Sequence, residues 1–100
     1  MWISAFTVRT AAWHVELMLY LAEFYLSASA SLAEVVRRAR AGAVDAARAG
    51  AETRFIQAVF VRSDEICYAL YEAGSVADLD AARSLAGLEF DRVAAADAAL

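Results

Sequence analysis

Glu23 and Glu72 are the residues of this chain best placed to do chemistry, because each stands in a strand-like run that is otherwise largely apolar. A carboxylate in such a setting needs a partner: an arginine such as Arg54, a cation, or water at a sheet edge. Two carboxylates also make an acid–base pair where their surroundings drive their pKa values apart. Perturbed carboxylates occur in purely structural networks as well. Tyr68 and Gln57 add neutral polar groups suited to a small polar ligand. The single cysteine, Cys67, permits no intramolecular disulfide and is expected to behave as a small buried hydrophobe. A catalytic thiolate would need a basic neighbour, and the single histidine, His14, is far away in sequence. No residue is assigned a catalytic role.

The elements that must position these groups repeat. A strand-like run at Tyr20–Leu26, a helix opening at Ser31 and a strand-like run at Arg54–Arg62 are followed by the same series. Its second copy has a run at Glu65–Glu72, a helix opening at Ser75 and a run at Leu88–Ala94. Two β-α-β units of this length predict a ferredoxin-like α+β sandwich. Ser31 with Glu34 matches the capping box, in which each residue satisfies the other's backbone donor, and Ser75 with Asp78 nearly does. Gly42 weakens the middle of the first helix, while Gly50 and Gly87 are natural stops. Ser63-Asp64 reads as a two-residue hairpin link.

Alternation along the strands sorts their faces. Pairing Arg62 with Glu65 would set Phe60 against Cys67, Ala58 against Ala69 and Ile56 against Tyr71, on the helix-covered face. The opposite face would carry Phe55, Gln57, Val59 and Val61 with Ile66, Tyr68, Leu70 and Glu72, and Glu23 from the first strand. That face is too apolar to stand in water and predicts an interface, most simply a two-fold dimer through sheet faces.

One hundred residues fit one domain. The hydrophobic fraction of 62% looks membrane-like, but 26 of those residues are alanine. No uninterrupted apolar run approaches the roughly 18 residues a span needs, and the nearest, Ala11–Leu26, is broken by His14, Glu16 and Glu23. A net charge of -4 argues against nucleic acid as the main partner. The expectation is a soluble cytoplasmic protein, with no membrane or nucleic-acid partner. All nine basic residues are arginine, and Arg37, Arg38, Arg40 and Arg48 share the first helix. They form either a solvated face or a patch for an anionic ligand. Residues 1–17, with Trp2 and Trp13, fall outside the repeat and read as an N-terminal extension to a domain at 18–100. A short helix through Ala11–Leu19 is one form it could take.

Four places carry a family resemblance. They are Tyr20-Leu21-Ala22-Glu23, the Phe55…Val61 run, Cys67-Tyr68-Ala69-Leu70-Tyr71-Glu72-Ala73 before Ser75, and Ala86-Gly87-Leu88-Glu89-Phe90-Asp91-Arg92-Val93. Over Leu19–Ala95 the chain resembles a family of small ferredoxin-like proteins of unknown function that includes an actinobacterial nickel-binding protein. The resemblance implies the β-α-β-β-α-β order, a homodimer and a divalent metal such as nickel, with Glu23 and Glu72 as the positions to carry over. The chain departs from the family at Gly74 and Glu89, where proline is common, and has no histidine after His14. Nickel favours imidazole, so a site of these two glutamates would be oxygen-rich.

The expected function is therefore a small dimeric binding protein, for a divalent metal ion or a small polar ligand. Two other readings stand beside it. One is a cofactor-independent enzyme of the dimeric α+β barrel type, resting on Tyr68, Tyr71 and Cys67. The other is a structural or interaction module that uses the N-terminal arm.

Overall fold

The computed structural model describes residues 17–99. Six elements follow in the order β1 (Met18–Tyr25), α1 (Leu32–Arg48), β2 (Thr53–Val61), β3 (Ile66–Ala73), α2 (Val76–Ala86) and β4 (Arg92–Ala96). They form a four-stranded antiparallel sheet in the order β2-β3-β1-β4, with two helices. This is the α+β, ferredoxin-like layout expected from the two β-α-β units. Among the described residues, no helix is long and apolar enough to cross a membrane. The expected extension at 1–17, its tryptophans and His14 lie outside the described residues except for Leu17. The strand begins at Met18, so a helix does not run on through Leu19.

Both helices open on the serines read from the sequence. Ser31 accepts a hydrogen bond from the Glu34 backbone N–H at 3.2 Å, and Ser75 from that of Asp78 at 3.1 Å. Only this half of the first box forms, because the Glu34 carboxylate turns outward to pair with Arg37. Helix α2 stops at Gly87, whose φ of 69° suits glycine. The Arg38 side chain reaches across from α1 and donates to the carbonyls of Ala86 and Gly87. A cation at a helix C-terminus meets both the open carbonyls and the negative end of the dipole.

The two helices touch along small residues. Ala39, Ala43 and Ala46 of α1 are buried, as are Ala82 and Ala86 of α2. At the crossing stands Gly42, where a Cβ would lie 2.7 Å from both the Ala82 carbonyl oxygen and the Ala86 amide nitrogen. The glycine read as a weak point in a helix stands where the second helix packs too close for any side chain.

Three further expectations are corrected. Phe55 was expected on the open face with Gln57, and Ile56 opposite Tyr71. Instead Phe55 pairs with Tyr71, and the next pair is Gln57 with Leu70, because β2 bulges between Phe55 and Gln57. The inserted residue reverses the alternation, so Phe55 is buried on the helix side and meets Tyr71 edge-on at 5.4 Å. The β2–β3 link is also longer than two residues. Arg62–Asp64 form a 3-10 turn, and Glu65 takes a left-handed conformation with φ of 54° before Val61 pairs with Ile66. Glu65 is held there by donors from the β1–α1 loop: its carbonyl accepts from Leu26 N–H and its carboxylate from Ala28 N–H. Finally, the last strand is Arg92–Ala96 rather than Leu88–Ala94. Leu88 is buried beyond the end of α2, with its carbonyl held by Arg83. Phe90 stacks on Phe24 at 5.6 Å, and the Asp91 amide bonds the Glu23 carbonyl. Hydrophobicity at Leu88 and Phe90 serves the core without a ladder, and the alanine run supplies the strand because backbone pairing with β1 requires no large side chain.

Candidate functional site

Alternation along four strands builds the face turned away from the helices. Its rows run across β2, β3, β1 and β4. The first row is Arg54, Glu72, Leu19 and Ala96, and the second is Gln57, Leu70, Leu21 and Ala94. The third is Val59, Tyr68, Glu23 and Arg92, and the fourth is Val61, Ile66 and Tyr25. Leucine, isoleucine, valine and tyrosine occupy the middle. The two carboxylates stand on the central strands, and their arginines stand on the two edge strands, β2 and β4.

Glu23 and Glu72 share this face, as expected, but do not meet. Glu72 stands opposite Leu19, four positions along β1 from Glu23. At about 3.3 Å per residue and one strand spacing, that places them roughly 14 Å apart. Each has its own arginine instead. Arg54 donates to Glu72 through Nε and Nη2 at 3.2 and 3.1 Å, and Arg92 reaches Glu23 at 2.6 Å. Glu72 is buried, and the arginine partner offsets the cost of leaving its charge out of water. Among the described residues, no group of three or more histidine, cysteine, aspartate or glutamate side chains is arranged to hold a metal ion.

Gln57 and Tyr68 lie on the same face on neighbouring strands, diagonal to one another, with Tyr68 directly opposite Glu23. Gln57 is exposed and Tyr68 half-buried. Neither spends its side chain on a hydrogen bond among the described residues.

Tyr68, Tyr71 and Cys67 do not converge. Tyr68 is on the open face, while Tyr71 and Cys67 are fully buried on the helix side. Burial pushes the Cys67 thiol up, away from the thiolate a nucleophile needs. The Tyr71 phenol is pushed up to about 12, first by burial and then by Cys67. Among the described residues its hydroxyl is buried without a hydrogen-bond partner, and so is that of Thr53. Those two unpartnered hydroxyls were invisible in the sequence, since nothing in a residue's identity says whether its partner is present.

The four arginines of α1 also separate. Arg37 pairs with Glu34, Arg38 caps α2, and Arg48 faces Asp45 at 3.7 Å. Arg40 lies over the Phe55 ring, 5.2 Å from its centroid. Compared with known proteins, the chain matches no family model, no curated protein and no solved structure.

Proposed function

We propose that this chain is a small homodimeric binding protein, joined to its copy through the open face of the sheet, with Tyr68 and Gln57 as contacts for a small polar ligand. One observation carries the reading: the face has apolar residues between two ion pairs whose arginines stand on the opposite edge strands. That is the anatomy of an interface, with apolar residues at the core and arginine toward the rim. Because Glu23 and Glu72 are neutralised within the chain, a second copy can cover the face without burying an unpaired charge. Four strands about 4.8 Å apart and some 25 Å long give a footprint on the order of 500 Å² before side-chain relief, against roughly 800 Å² of accessible surface per partner in a standard interface. Val59 is 53% exposed in the single chain, an unfavourable state for valine that a copy would relieve.

Divalent metal, nickel included, has less support. A cation at Glu72 would have to displace Arg54, and one at Glu23 would have to displace Arg92.

Sedimentation equilibrium tests the assembly. The native chain should sediment at twice its 10.8 kDa. Leu70→Glu, at the centre of the face, should sediment as a folded monomer. A native monomer, or a Leu70→Glu dimer of unchanged affinity, would sink the proposal.

A further inference from the structure

The second half of α1 and the start of β2 border an open cleft of about 570 Å³, within the ordinary range for small-molecule sites. Its walls are short, at Ala43 and Ala47, and Phe55 lies at its base. Three arginines border it: Arg40, Arg48 and Arg54. Two of them have carboxylate neighbours, Arg48 beside Asp45 and Arg54 on Glu72. Arg40 differs. Among the described residues it is the one arginine with neither a hydrogen bond nor an ion pair, and its guanidinium is held over the Phe55 ring. The same cleft is lined by Thr53, whose hydroxyl oxygen is buried without a partner.

Among the described residues, an unspent guanidinium thus stands over an aromatic ring at the edge of the cleft. The fork of a guanidinium matches a carboxylate, and the alanine walls suit a flat apolar body. We propose that this cleft is a binding site for a small aromatic or similarly flat organic carboxylate, with Arg40 holding the carboxylate against the alanine walls.

The cleft is bordered by α1 and the first residues of β2, away from the centre of the open sheet face, so the result does not depend on the dimer. The test is an amide-resolved NMR titration of the full chain with 2-naphthoate, run in parallel with neutral 2-naphthamide and inorganic phosphate. Saturable shifts are expected at Ala43, Ala47, Thr53 and Phe55 with 2-naphthoate. The amide and phosphate should fail to saturate over the same range. Arg40→Gln should weaken 2-naphthoate by about tenfold or more, the scale of a lost charged hydrogen bond. Thr53→Val, which removes a hydroxyl sealed from the cleft, should leave it unchanged. Binding unaffected by Arg40→Gln, equal binding of phosphate, or shifts confined to Leu21, Tyr68 and Leu70 would overturn the site.

Discussion

Gly42→Ala should lower the stability of this domain by about 2 kcal/mol, although alanine is the better helix former. Two effects oppose each other. Replacing a mid-helix glycine by alanine gains up to about 1 kcal/mol in propensity. Against it stands the helix crossing, where the new methyl would sit 2.7 Å from the Ala82 carbonyl oxygen and the Ala86 amide. Those are backbone atoms of α2, which cannot swing aside as a flexible side chain would. The helices must separate, and overpacking of this kind costs about 1–3 kcal/mol, occasionally more. Separation also loosens the alanine contacts on either side and pulls the C-terminus of α2 away from Arg38. For a domain of this size, 2 kcal/mol corresponds to a fall in Tm of roughly 10 °C. Thermal denaturation followed by circular dichroism checks this. An unchanged or raised Tm would mean that the crossing is not as close as described.

Tyr71→Phe should act in the opposite direction and change the alkaline stability profile. The ring packs among Phe55 and Phe90, and phenylalanine keeps those contacts. The hydroxyl is buried with no partner, and leaving such a group unsatisfied costs about 1–3 kcal/mol. Its removal should raise stability at neutral pH by about 1 kcal/mol. The pH dependence follows from the phenol's displacement from its ordinary value of 10.0 up to about 12 in the fold. Below pH 10 both folded and unfolded chains carry the proton, and the stabilisation is fully present. Between pH 10 and 12 the unfolded chain releases a proton that the folded chain retains, so stability falls by about 1.4 kcal/mol per pH unit, roughly 3 kcal/mol in all. Cys67, also raised by burial, acts with the same sign from its ordinary value of 9.0 upward. Urea denaturation from pH 8 to 12 should show the native chain losing more than Tyr71→Phe, with the Cys67 contribution left in the variant. Parallel profiles, or a variant less stable at pH 7, would show that the hydroxyl has a partner.

The elements legible in the sequence were those with local causes. Ser31 and Ser75 mark helix starts because capping is a matter of three residues, and Gly87 marks a stop because its φ is positive. The phase of β3 was legible from alternation, which placed Cys67 inside and Tyr68 and Glu72 on the open face. What failed depended on the rest of the fold. A bulge at Ile56 leaves no local signature, yet it moves Phe55 from one side of the sheet to the other. Gly42 reads as a defect along its own helix, and its reason is on the other helix. The arginines of α1 read as one face, but they separate into a surface pair, a cap for α2, a guanidinium over a ring and a loose partner for Asp45. Glu23 and Glu72 were rightly placed on one face, but only the strand register shows that four positions separate them.

The proposed interface is tested most directly by isotope-filtered NOE spectroscopy on a mixture of methyl-labelled and unlabelled chains, since it reports which side chains would touch a second copy. Intermolecular contacts are expected from the methyls of Leu21, Val59 and Leu70, across the middle of the open face. Contacts confined to Val44, Val76 and Leu85, the exposed apolar residues of the helices, would place the interface on the wrong side of the molecule and contradict the account.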